Sequence, residues 1–317
     1  MEFVSLFAQV LVAILLEAAP FLLLGALASG LFEVFVPAGT LERLMPRGTA
    51  TGILAGLVLG MVMPCCECGI VPLIRRLLGK GVPPATAMTF MLAGPVINPV
   101  VLASTLVAFQ GDLGVVVVRC VLVAGVACAV GVAVRGRTAQ ELLLPGARPV
   151  AAACGCGGEP GLFGSLADMV TPADVRRPSL LSRLDHALRH AQADFLDMFR
   201  VLVFGAAVAA AFKTLAPAGV VNLVEKDLLL SVSGMMGLAV VLSLCSQADA
   251  FVAASFSGFP LAAKAAFLAL GPVLDIKLVL MWRGVFRPEI VRLLIVIPAA
   301  SIFAACMLMG VLEKWPR

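Results

Sequence analysis

The stretch Pro64-Cys65-Cys66-Glu67-Cys68-Gly69 sits inside an apolar run that enters from Thr51 through Met63 and leaves through Ile70 to Ile74. Three thiols and a carboxylate stand where the flanking residues call for lipid or the inside of a helix bundle. Proline and glycine bracket them, so a helix is expected to break here. A broken helix frees backbone polar groups, which survive at membrane depth only when buried in protein or facing a water-filled cavity. The combination points to a solute site. The alternative is packing, because cysteine is a small apolar residue suited to close helix contact.

The rest of the chain supplies the setting. Its 317 residues are 61% hydrophobic and 13% charged, against about 25% charged in a soluble domain, and the mean hydropathy is +1.08. Several apolar runs reach the roughly 20 residues that span a bilayer. These values exclude a soluble globular domain and predict an all-α polytopic integral membrane protein. A formal charge of +4 gives no sign of nucleic-acid binding. Met1-Glu2-Phe3 lacks a basic leader, so the first apolar segment is expected to be retained. Nine cysteines in a chain of this length are read as reduced thiols rather than a disulfide framework.

Taken in order, the first segment runs from Phe3 to Val36, interrupted by Glu17 with Pro20 behind it. Thr51 to Met63 covers only about half a bilayer at roughly 1.5 Å per residue. Ile70 to Leu78 follows the cysteines and ends at Arg75, Arg76 and Lys80. Half a span in, a break and half a span back predict a re-entrant hairpin; one tilted span from Ala50 to Ile74 is the rival. Pro83-Pro84 starts a helix that breaks at Gly94-Pro95. Asn98-Pro99 restarts it, with Asn as N-cap and Pro at the first helical position. Leu113 to Val134 is a full span. Residues 135–190 read as a cytoplasmic linker, and residues 191–317 hold the later apolar stretches.

The two apolar halves, 1–134 and 191–317, repeat. At an offset of 177, Cys68, Gly81, Pro83, Gly94 and Pro95 fall on Cys245, Gly258, Pro260, Gly271 and Pro272, and Asn98 falls on Asp275. At an offset of 180, Glu17 falls on Asp197. Interrupted helices at matching positions of two halves point to a transporter's binding site. Placing Arg43, Arg47, Arg75, Arg76, Lys80, the linker, Arg283 and Arg287 in the cytoplasm makes the repeat an inverted one.

Four motifs carry a family resemblance: Cys66-Glu67-Cys68-Gly69, Gly94-Pro95 with Asn98-Pro99, Cys245-Ser246-Gln247-Ala248-Asp249, and Gly271-Pro272 with Asp275 and Lys277. Together they resemble the ArsP-type, or YraQ-like, predicted permeases, in the right order and over nearly the whole chain outside the linker. The resemblance implies an inner-membrane, multi-pass permease of eight to ten spans, taken here as about 8; some members of the family export trivalent organoarsenicals. The first motif is commonly Cys-Ser-Cys-Gly, and the second cysteine motif commonly has Glu where Gln247 stands here.

The candidate substrate-binding residues are Cys65, Cys66, Cys68, Asn98, Cys245 and Gln247. Soft thiolates select thiophilic partners, and helix N-termini such as those at Asn98 and Asp275 attract anionic groups, although plain capping explains both. The candidate coupling residues are Glu67, Asp249 and Asp275, because ionisable groups inside a membrane are functional hypotheses by default. Asp275 and Lys277 could pair, but an i,i+2 spacing puts them on different helix faces. In the linker, His186 and His190 stand i,i+4 with Asp194 one turn on, a spacing that can bind metal, and Cys154 with Cys156 could scavenge a thiophilic cargo; an amphipathic helix and a Gly-rich loop are the plainer reading.

Three functions follow. The first is a secondary-active permease for a small thiophilic solute, such as a trivalent organoarsenical, exported against protons. The second is an uptake permease for a small sulfur oxyanion, using the same cysteines as weak S–H donors. The third is a membrane thiol–disulfide oxidoreductase, which only the Cys65 to Cys68 spacing fits. The first two involve no enzyme chemistry, catalytic residue, metal or cofactor, and no nucleotide-binding motif is visible. The expected partners are the lipid bilayer and a small-molecule solute, with a homodimer open.

Overall fold

The computed structural model describes residues 5–13, 15–16, 19–20, 23, 26–27, 48–63, 67–145, 188–189, 191–193, 195–196, 199–200, 203–204, 206–207, 210–211, 227–256 and 258–314, without the side chains of Cys68, Glu313 and Lys314. Glu17, Cys65, Cys66, Cys154, Cys156, His186, His190, Asp194 and Asp197 lie outside the described residues. The described residues are mostly helical, with no strand among them. The principal helices are α1 (Thr49–Val62), α2 (Glu67–Gly79), α3 (Pro84–Ala93), α4 (Pro99–Ala108), α5 (Leu113–Ala133), α6 (Ala139–Leu142), α7 (Leu228–Leu242), α8 (Ala248–Ser255), α9 (Leu261–Leu270), α10 (Ile276–Val285) and α11 (Pro288–Lys314).

The punctuation read from the sequence sets these boundaries. Pro84 opens α3 at its first turn, and Gly94 closes it. Asn98 caps α4, its side-chain oxygen accepting from Val100 N and Val101 N. α2 ends in a Schellman turn: Val82 N donates to Leu77 O and Gly81 N to Leu78 O. Gly81 sits at φ 87°, a conformation glycine adopts without steric cost. Shifted by 177, α3 and α4 land residue for residue on α9 and α10. Asp275 caps α10 by accepting from Leu278 N, the amide that matches Val101 in the first half.

Packing repeats as well. α3 packs on α1, α2 and α5, and α9 packs on α7, α8 and α11. Ala85 to Ala93 of α3 are all buried, as are Ala265 to Leu270 of α9. Helices apolar all round belong inside a bundle; these two form the axis of each half. The α1 face that meets α3 is built from glycine. A Cβ on Gly56 would stand 2.6 Å from Thr86 O, and one on Gly60 would stand 2.9 Å from Gly94 N. Small residues let the helix backbones approach closely.

Those contacts also fix directions. Gly56 lies by Thr86 and Gly60 by Gly94, so α1 runs parallel to α3. Ile70, near the start of α2, reaches Gly94, whereas the end of α2 leads straight into Pro83-Pro84. Helix α2 therefore runs back against both. Gly48 and Lys80 lie at one end of the bundle, and Met63 and Glu67, where α1 ends and α2 begins, lie at the other. The 14 residues of α1 reach roughly 21 Å, short of a bilayer core of about 30 Å. α5, with 21 residues, spans roughly 32 Å.

The halves run in opposite senses. Gln110 to Asp112 join α4 to α5, so α4 ends beside the start of α5. Beyond the other end of α5, Leu144 N donates to Val285 O at 3.0 Å and Arg287 N to Leu142 O at 2.9 Å, with Leu143 bridged to Phe286. Thus α10, the counterpart of α4, ends at the opposite face. α7 likewise starts beside the end of α11, where Leu228 packs on Gly310. The first residues of the expected 135–190 linker dock here: Leu142 and Leu143 are buried, and Glu141 caps the Thr138 amide.

Two helices are long and apolar enough to cross a bilayer among the described residues, Leu113–Ala133 and Pro288–Leu312. Their outer faces expose Val117, Val121, Val296 and Leu308. An apolar surface of this extent is unusual on a soluble monomer and matches a lipid-facing one.

Candidate functional site

Two short helices, α2 and α8, begin at hairpin tips, and each reaches across to the other half: α2 packs on α10 and α8 on α4. The tips carry the cysteine motifs. Glu67, the first residue of α2, is buried, and its Oε1 accepts from Lys277 Nζ at 3.2 Å. The same ammonium donates to Ser243 O at 3.1 Å. Ser243 closes α7 in the left-handed conformation, φ 47°, which a non-glycine residue adopts only under local strain. One buried lysine thus holds both hairpin tips, with Cys68 one residue from Glu67 and Cys245 two from Ser243.

Lys277 also lies 3.4 Å from Asp275 Oδ2. The i,i+2 objection fails here because Asp275 is the N-cap, with extended backbone at φ −140° and ψ 172°, so helical spacing rules do not govern the pair. A second ion pair ties the halves. Arg119 Nη2 meets Asp249 Oδ1 at 3.0 Å and Oδ2 at 2.8 Å, and donates to Ser246 O at 3.0 Å. Arg119 Nη1 donates to Thr105 Oγ1 at 2.8 Å. Both pairs join one half to the other, and neither is duplicated by the repeat. The counterparts of Glu67, Lys277, Arg119 and Asp249 are Leu244, Val100, Val296 and Pro72.

Among the described residues the cluster therefore holds three carboxylates against two cations, all buried. Glu67 also acts electrostatically on both Asp249 and Asp275. Buried charge is tolerated only when paired and hydrogen-bonded, and here the pairing is uneven. Both Asp249 oxygens meet Arg119. Glu67 Oε2 and Asp275 Oδ2 accept no hydrogen bond, and Arg119 Nε donates none. Asp249 Oδ2 also lies 3.8 Å from where a Cβ on Gly271 would stand, so the second Gly-Pro break borders the cluster.

The sequence-predicted residues divide accordingly. Glu67, Asp249 and Asp275 come together. Asn98 is buried but fully used: Oδ1 caps α4 and Nδ2 donates to Gly94 O at 2.9 Å. Gln247 occupies the N-cap position of α8 without a side-chain capping bond. Cys245 is half-buried and not disulfide-bonded, and its carbonyl accepts Asp249 N. Cys68 lies in the first turn of α2. No cluster of three metal-ligating side chains occurs among the described residues. A groove of about 460 Å³ lies on the outer surface between α1 and α5, lined by Ile53, Leu57, Cys128 and Arg135, away from the charges.

Sequence reading missed Arg119. Its signal was plain, since it is the one charged residue between Asp112 and Arg135, and an ionisable group inside a span needs a partner. It escaped notice because it occupies neither a break nor a repeated position.

Broken helices, paired hairpins and a buried charge cluster between two halves define the architecture of a membrane permease. The chain belongs to the ArsP-type family, described as predicted permeases, whose pattern matches residues 3–311. It is 37% identical over 301 residues to the UPF0718 protein YcgR of Bacillus subtilis, covering 95% of each chain. It is 32% identical over 305 residues to a Streptococcus mutans protein described as a two-component membrane permease complex subunit, covering 96% of this chain and 95% of the relative. No solved structure matches.

Proposed function

We propose that this permease is a secondary transporter that exports a small thiophilic solute, such as a trivalent organoarsenical, in exchange for protons. The observation that carries the reading is the meeting of both cysteine-bearing tips at Lys277, beside carboxylates that outnumber their cations. Cys65, Cys66, Cys68 and Cys245 are the proposed ligands. A trivalent arsenical with exchangeable hydroxyls condenses with thiols, releasing one water for each arsenic–sulfur bond. Gln247, at the start of α8, is proposed to orient the cargo. Asn98 is kept in the substrate set only through its cap, which shapes the first break.

The oxyanion reading has less support. A cluster with one carboxylate in excess repels an anion, and Asn98 and Asp275 already fill the helix N-termini that would attract one. The end of the bundle bearing Arg75, Arg76, Lys80, Arg135, Arg137, Arg283 and Arg287 is proposed to face the cytoplasm of an inner membrane, following the positive-inside rule. The halves 1–134 and 191–317 then act as inverted repeats. The description of the Streptococcus relative as a complex subunit supports a second membrane subunit as partner, with a homodimer as the alternative.

The test is uptake by everted vesicles of methylarsenite, arsenite, thiosulfate and sulfite, with and without a pH gradient. Gradient-dependent accumulation of methylarsenite, lost in Cys245→Ala, is expected. Accumulation of thiosulfate or sulfite alone would transfer the assignment to the oxyanion class.

A further inference from the structure

The cluster contains two unlike halves, and their difference assigns separate tasks to its three carboxylates. Asp249 is saturated. Arg119 meets both its oxygens while also bonding Thr105 and the Ser246 carbonyl, so neither Asp249 oxygen is left open. Glu67 and Asp275 share a single ammonium, Lys277 Nζ, at 3.2 and 3.4 Å. Glu67 Oε2 is buried without a donor, and Asp275 Oδ2 meets the shared ammonium at 3.4 Å without forming a hydrogen bond. We propose that Glu67 and Asp275, with Lys277 as their shared counter-ion, carry the coupling proton, and that Arg119–Asp249 is a fixed tie between the halves. This rests on the proton-exchange reading above and narrows it.

The charged groups around the site are Glu67 from α2, Arg119 from α5, Asp249 from α8, and Asp275 and Lys277 at the start of α10. With all five ionised, one negative charge is uncompensated among the described residues. One proton on either Glu67 or Asp275 cancels it and turns an orphaned acceptor into a hydroxyl donor. The step forms and breaks only an O–H bond: a carboxylate takes up a proton from water on one face and returns it on the other. Lys277 stays charged and remains with whichever carboxylate is ionised. It is a positioning residue that links the proton to hairpin position, because its other hydrogen bond goes to the strained Ser243 tip. Glu67 stands between Cys66 and Cys68 in sequence, which sets the proton beside the thiol motif.

The repeat supplies the test variant. Asparagine already caps the matching helix at Asn98, so Asp275→Asn keeps a competent cap and removes only the charge. Glu67→Gln is the isosteric partner. The full chain is reconstituted in phosphatidylethanolamine–phosphatidylglycerol liposomes with methylarsenite as probe. Net flux driven by a pH gradient is compared with cargo counterflow, which needs no net proton movement. Both variants should retain counterflow while the gradient stimulation falls to about onefold. Asp249→Asn should lose counterflow and driven flux together, through a weakened fold.

A wild-type chain whose flux ignores the gradient overturns the transport reading and this inference with it. A responsive wild type, with Glu67→Gln and Asp275→Asn equally responsive, overturns the inference alone, as does an Asp249→Asn that loses only the gradient response. A cargo-free readout guards against variants that merely misfold. The infrared carbonyl band of a protonated buried carboxyl in the purified chain should vanish in Glu67→Gln or Asp275→Asn and persist in Asp249→Asn. The reverse pattern refutes the assignment.

Discussion

Replacing Arg119 by methionine tests whether the tie between the halves is an ion pair in the energetic sense. Methionine keeps an unbranched apolar stem but removes the donors to Thr105 Oγ1, Ser246 O and both Asp249 oxygens. Asp249 would remain as an uncompensated buried carboxylate, and removing one partner of a buried pair costs about 3–5 kcal/mol. For a chain of this size, at about 2 °C per kcal/mol, the melting midpoint should fall by about 6–10 °C. Adding Asp249→Leu removes the stranded charge. Replacing a whole buried pair by apolar groups is often neutral or stabilising, leaving mainly the loss of a donor to Ser246 O, about 1–3 kcal/mol. The double variant should therefore melt above Arg119→Met, by roughly 4 °C or more. The assay is the apparent midpoint in detergent at one fixed heating rate, followed by fluorescence-detected size exclusion, because unfolding of such proteins is commonly irreversible. An Arg119→Met chain that melts with wild type would refute the reasoning. So would a double variant whose loss equals the sum of the singles, since contacting residues should couple.

Three further outcomes are expected. Single cysteines introduced at Gly48 and Lys80 should label from the same side of the membrane in intact cells and everted vesicles; labelling from opposite sides would restore the single tilted span. Gly56→Ala, which sets a Cβ 2.6 Å from Thr86 O, should reduce yield and melting temperature by forcing α1 away from α3, whereas Gly125→Ala, in open space on α5, should leave both unchanged. Cys154→Ser with Cys156→Ser should preserve methylarsenite transport at normal membrane levels; complete loss would draw those thiols into the pathway.

Composition and hydropathy determined that this chain is helical and lives in a membrane, because a bilayer rewards nothing else that is this apolar. Glycine, proline and the cap residues determined where helices stop and restart, since these effects act through a residue's own backbone and its immediate neighbours. Pro84, Gly94, Asn98, Gly271 and Asp275 could thus be read directly, and the 177-residue offset followed from them. Glu67, Asp249 and Asp275 were recognisable one at a time, as charges in the wrong solvent. Which cation each faces was decided only by tertiary structure. Lys277 meets Glu67 across 210 positions of chain and Arg119 meets Asp249 across 130, distances over which local pattern carries no information. The pairs also break the repeat, so symmetry could not supply them. The Asp275–Lys277 contact stayed open in the sequence for a related reason, because a cap residue's extended backbone overrides helical spacing. The sequence placed Glu67, Asp249, Asp275 and Lys277 at or beside the breaks and Arg119 within a span; the packing of α2 on α10 and of α8 on α4 chose their partners and left one carboxylate over among the described residues.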